Sequence, residues 1–252
     1  MKYLIFAVAM IGVMPHDIYA QDQSKGTEKI NAIDAQAVVV SGTRDPDWKT
    51  YKAFLAGMKI FDAQHQLAPL ADLRFILRPR SHQTNVGDVK MTIETDDIRI
   101  PVPVSEEGIF VLPRDERAAE NGAEIFLGKK RNTLSWRPAI HTPGLPAGTR
   151  RLGDLRLECI VRWTIEQADM LAFFRGTINA FGGPCSSAMI KVDYISVQAL
   201  AAVYLVSEHR SGKLAGKWIE EGGHVYLPPI HDQTWPDDTL LEFEYVRQKS
   251  GK

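Results

Sequence analysis

Cysteine is scarce: Cys159 and Cys185 are the only two in 252 residues. Two thiols cannot complete a four-ligand structural zinc site. Charge of one sign is also lacking. Thirty Lys and Arg balance thirty-one Asp and Glu, for a net charge of −1. No long-range field therefore favours nucleic acid as a partner. The body of the chain has no apolar run approaching twenty residues, so nothing after the leader reads as a membrane span. No G-x-S-x-G elbow, H-E-x-x-H pair, P-loop or glycine-rich dinucleotide loop occurs. The closest approach, Gly212 to Lys217, has the wrong spacing and ends at Trp218. No cofactor is implied.

The N-terminus is distinctive. Lys2 precedes an uncharged apolar stretch, Tyr3 to Met14, and Ile18-Tyr19-Ala20 offers a cleavage site before Gln21. This is the pattern of a signal peptide over residues 1–20, and it places the mature protein in the periplasm or outside the cell. Polar residues 21–37 read as a flexible lead-in. In an oxidising compartment the expected state of Cys159 and Cys185 is a disulfide.

Val38 to Arg44 reads as a strand. Asp45, Pro46 and Asp47 then carry helix-start signals, and Trp48, Tyr51, Leu55, Met58 and Phe61 fall on one helical stripe. After that the period is two. Leu73, Phe75 and Leu77 alternate with Arg74, Ile76 and Arg78; further strands centre on Met91, Ile100, Phe110 and Ile125. Pro101 and Pro103 put the strand over 98–104 at a sheet edge. Residues 137–153, rich in proline and glycine, read as a connection. Leu155, Leu157, Cys159, Val161 and Trp163 alternate as a strand, and Thr164 to Gln167 reads as a capping box for a helix through Phe181. A Cys159–Cys185 bond would clip that helix back to the strand. Strands around Val192, Leu200–Val206, Val225 and Leu241 complete the pattern.

One phrase occurs twice. "SEEGIFVLP" (105–113) and "EEGGHVYLP" (220–228) share a glycine, an apolar alternation and a Leu-Pro stop. Leu112 to Ile125 and Leu227 to Leu240 are equally spaced. The expected fold is mainly β with two or so helices (α+β), as two small β-sandwich-like modules. The first covers 38–136 with an N-terminal helix, and the second covers 154–247 with an inserted helix. A single mixed sheet with two similar hairpins is the competing arrangement. Gly108, Phe110, Leu112 and Pro113, and more loosely Gly223, Val225, Leu227 and Pro228, resemble transthyretin-like or carboxypeptidase-regulatory-like sandwich modules of exported proteins. That resemblance implies a non-enzymatic stalk, spacer or binding surface.

Two clusters are candidate sites. Lys129, Lys130, Arg131, Arg137, Arg150 and Arg151 lie near Trp136 in sequence, a set that suits the phosphate or sugar-acid groups of an envelope polymer, with Trp136 stacking on a sugar. The acidic C-terminal segment is an intramolecular alternative partner for them. His224, His231, Asp232, Asp237 and Asp238 have ligand types suited to zinc or calcium. The leading expectation is an exported, non-enzymatic protein that binds or scaffolds in the cell envelope, its partner an envelope component or another protein. The alternative is a metal-dependent or hydrolase-type periplasmic enzyme built on the His224–Asp238 cluster.

Overall fold

The period-two runs form antiparallel strands, and the pairing of those strands divides the chain into two similar halves. A computed structural model describes residues 46–80 and 84–247, all in one compact unit. The signal peptide, the lead-in and the strand expected from Val38 lie outside the described residues. The first half comprises β1 (Pro46–Thr50), α1 (Tyr51–Ala63), β2 (Asp72–Pro79), β3 (Met91–Glu94), β4 (Arg99–Val102), β5 (Ile109–Phe110), α2 (Glu116–Glu120), β6 (Glu124–Lys130) and β7 (Leu134–His141). The second comprises β8 (Thr149–Arg151), α3 (Leu152–Glu166), α4 (Ala172–Ala180), β9 (Tyr194–Ile195), β10 (Leu200–Val206), β11 (Ser211–Lys213), β12 (Ile219–Glu220), β13 (Val225–Tyr226) and β14 (Leu240–Tyr245). The protein is mainly β with helices, an α+β fold of the sandwich type.

Each half builds the same four-stranded sheet. The order is β1-β6-β3-β4 in the first and β8-β14-β10-β11 in the second, and every neighbour is antiparallel. In both, the opening strand runs directly into a helix. The first helical amide then bonds to the carbonyl just ahead of the return strand: Tyr51 N donates to Ala123 O at 3.0 Å, and Leu152 N to Thr239 O at 2.8 Å. The turns of the two outer hairpins match as well, closed by Thr95 N to Ile98 O at 2.8 Å and by Ser207 N to Arg210 O at 2.9 Å. β4 forms a sheet edge, in keeping with Pro101 inside it and Pro103 just after it.

The repeated phrase occupies the same place in each half. β5 pairs with β2 and sets Phe110 opposite Phe75; β13 pairs with β9 and sets Tyr226 opposite Tyr194. The ring centroids lie 5.5 and 5.8 Å apart. This register departs by one residue from the one the glycines suggest. Phe110 corresponds to Tyr226 rather than Val225, and the fully buried Ile125 corresponds to Leu241 rather than Leu240. A one-residue slip would turn every side chain to the other face, so the buried aromatic fixes the register. The glycines keep a common duty. Gly108 and Gly223 have φ of 83° and 96°, and a Cβ would come within 2.8 Å of Leu77 O or 2.7 Å of Leu200 N and O.

Three segments differ from the sequence expectation. Residues 46–50 are a strand paired with β6, so the helix starts at Tyr51 and Trp48 sits outside its stripe. Tyr51, Leu55, Met58 and Phe61 are buried along α1 as expected. Residues 155–163 are helix, not strand. α3 lies between two cores, giving Leu157, Val161 and Ile165 to the first and Leu152, Leu155 and Cys159 to the second. Two such stripes, offset by two residues, add up to an apparent alternation. Thr164 is thus the last turn of α3, where its hydroxyl donates to Ile160 O at 2.9 Å, and no helix begins there. Finally, Arg137–His141 continue β7 along β2, so the expected connection 137–153 contributes to β7, β8 and the start of α3.

The two helices cross closely because α1 has Gly57 at the contact. A Cβ there would meet Ile165 Cγ1 at 2.7 Å. Cys159 and Cys185 form a disulfide with Cα atoms 5.7 Å apart, joining α3 to the end of the segment that carries α4. Among the described residues no helix is long and apolar enough to cross a membrane.

Candidate functional site

The pleat of β2 sends Phe75 and Leu77 into the first core and Arg74, Ile76 and Arg78 to the opposite face. Cross-strand neighbours on β7 extend that face: Arg137 lies opposite Ile76 and His141 opposite Asp72. Facing it are Glu158 and Arg162 from α3, Arg150 from β8, and Asp193 to Ile195 leading into β9. The cleft between them has a volume of about 450 Å³, the size of a small-ligand site. Five arginines line it against Asp72, Glu158 and Asp193, an excess of two positive charges.

Part of this charge is committed internally. Glu158 Oε1 accepts from Ile140 N at 2.8 Å and from Arg150 Nη2 at 3.0 Å, and Arg150 Nη2 also donates to Ile140 O at 3.1 Å. Burial pushes the Glu158 carboxyl above its ordinary value, opposed chiefly by Arg150. Arg162 pairs with Glu166 at 2.9 Å and Asp193 at 3.2 Å, and Arg137 with Glu166 at 3.1 Å. The rest is uncommitted. The guanidinium groups of Arg74 and Arg78 make no hydrogen bond among the described residues, and the buried Nε of Arg150 has no partner. Burial pulls the Arg78 pKa below its usual value; Glu158 counteracts this and Arg150 adds to it. Partial burial, then Arg150, Arg78 and Arg74, push the His141 pKa down to about 4. Unpaired guanidinium donors converging on a concave surface suit an anion.

The basic residues singled out in the sequence are dispersed. Of these, Arg137 and Arg150 line the cleft. Lys129 pairs with Asp88 at 2.8 Å, Lys130 is exposed opposite Pro46, and Arg131 lies 5.9 Å from the Trp48 ring. Arg151 donates to Leu67 O and stands 4.0 Å from Asp154. Trp136 packs on the first core, with ring centroids 5.4 Å from Phe54 and 6.0 Å from Phe110, and its Nε1 donates to Asp47 at 3.3 Å.

The acidic and histidine cluster is engaged elsewhere. Asp237 pairs with Arg156 at 2.5 Å, and Asp232 accepts from Thr234 N and Oγ1 at 2.9 and 2.6 Å. His224 Nδ1 lies 3.1 Å from Ser196 O, His231 is half-buried and Asp238 is exposed. No group of three metal-ligating side chains occurs among the described residues. Sequence reasoning passed over Arg74, Arg78, His141 and Arg162 as a site. Its one available signal was the Arg-Ile-Arg alternation on a strand whose other face is apolar. No known protein family matches the chain, nor does any curated protein or solved structure.

Proposed function

We propose that the protein is an exported, non-enzymatic binding protein of the bacterial cell envelope, and that it holds an anionic group in the arginine-lined cleft. The observation that carries this reading is the set of uncommitted donors: the guanidinium groups of Arg74 and Arg78, and the buried Nε of Arg150, all on one concave surface. Export rests on the leader pattern of residues 1–20, and the Cys159–Cys185 disulfide supports an oxidising compartment. In this reading the strands around the two transthyretin-like phrases, β2, β5 and β7 in the first half and β9 and β13 in the second, are the frame that sets the walls of the cleft. The ligand class is a phosphate or carboxylate group on a small body. The apolar side chains of Ile76, Ile109 and Val192 can cover that body.

Isothermal titration of the mature protein with inorganic phosphate, pyrophosphate and glucuronate tests this. At least one anion binds, and Arg78→Gln weakens it about tenfold or more, the worth of one charge-assisted contact. Absence of binding by all three, or equal binding by Arg78→Gln, overturns the proposal.

A further inference from the structure

The two halves part company after their long helices. In the first, the chain passes from Ala63 to β2 at Asp72; in the second, the matching stretch runs from Glu166 to β9 at Tyr194 and contains α4. No residue of α4 is buried. Leu171, Phe173 and Phe174 are 72, 78 and 59 % exposed, and Phe181 and Met189 are 52 and 76 % exposed. From Met170 to Ile190 there is no aspartate or glutamate. Arg175 is the single charged residue there, and Lys191 follows. The Cys159–Cys185 disulfide fastens the base of this segment to α3.

We infer that α4 is a membrane-surface anchor, with Phe173 and Phe174 entering the headgroup–acyl boundary of a bilayer that contains anionic lipid. The helix is open to solvent on nearly every side. A protein partner covers one face of a helix, whereas a bilayer accepts a convex apolar projection without a preformed groove. The charge pattern agrees. No carboxylate has to be desolvated or brought against lipid phosphate, and Arg175 and Lys191 carry the sign that anionic headgroups attract. The first half, which lacks the insert, has no comparable projection among its described residues.

The test is co-sedimentation of the mature protein with vesicles of phosphatidylethanolamine and phosphatidylglycerol, and with vesicles of phosphatidylcholine alone. The wild type binds the anionic vesicles more tightly than the neutral ones. Phe173→Ser with Phe174→Ser weakens binding about tenfold or more, and Arg175→Glu reduces the preference for anionic vesicles. Both variants keep the wild-type circular dichroism, because these side chains are not part of the core. Failure of the wild type to bind, or undiminished binding by the double phenylalanine variant, overturns the inference. Sedimentation velocity without lipid adds a further check. A dimer that the double variant dissolves assigns the surface to a second copy and also overturns it.

Discussion

Arg156 gives the most direct test of how the second half is held together. Its side chain is 6 % exposed and makes four contacts to one loop: Nε to Ile230 O at 2.9 Å, Nη2 to Asp232 O at 2.7 Å and Trp235 O at 3.0 Å, and Nη1 to Asp237 at 2.5 Å. Arg156→Met keeps most of the stem packing and removes all four. Hydrogen bonds from a charged donor contribute about 1.5–3 kcal/mol each, but the desolvation of the guanidinium is recovered when it is removed. Breaking a buried pair costs about 3–5 kcal/mol net. Asp237 retains 35 % of its exposure and can rehydrate, which places the cost near the lower end, about 3 kcal/mol. Urea unfolding followed by circular dichroism measures it. Asp237→Asn, which spares the three carbonyl contacts, loses about 1 kcal/mol. A loss under about 1 kcal/mol for Arg156→Met would refute the view that this arginine anchors the loop.

Three further outcomes follow from the same structure. Replacing both cysteines by alanine opens a bridge of sequence separation 26 and lowers unfolding stability by about 3.5 kcal/mol in the chain-entropy model, read from denaturant midpoints. Gly108→Ala and Gly223→Ala each force a positive-φ residue against backbone, so each costs about 2 kcal/mol or more in the same assay; a large effect at one site and none at the other contradicts the equivalence of the two turns. His141 titrates near 6.5 when unfolded and about 4 when folded. Between those values the unfolded chain binds the extra proton, so the stability this histidine contributes is present above 6.5 and is lost as pH falls toward 4. His141→Gln flattens that slope, and an anion in the cleft raises the His141 pKa in an NMR titration; a folded pKa that stays at the ordinary value contradicts the placement.

How much of this was legible in the residues varies by element. The strands whose one face meets a core, such as Met91–Glu94 and Leu200–Val206, were visible because burial on one side writes a period of two. The disulfide was visible because only one pairing existed. α3 was not visible, because burial on both sides overwrites the helical period with two interleaved stripes. β1 was hidden by Pro46, a good helix starter that here begins a strand. The cleft was the least legible feature. Arg78 and Arg150 are far apart in the chain and meet only because the second half folds back across the outer face of β2. Proximity in sequence gathered Lys129, Lys130 and Arg131 with Trp136 instead, and the structure sends them to other neighbours.

The placement of α3 has a consequence for any attempt to dissect the molecule. A copy of the first half ending at His141 would lack Leu157, Val161 and Ile165, and the hydrophobic centre around Phe54 and Met58 would lie open to water. The second half kept alone would present those same three side chains to solvent. The two sheets are alike in order, but the helix wedged between them contributes to both cores and makes the pair a single cooperative object. It should melt in one transition, and neither half keeps a closed core when expressed alone.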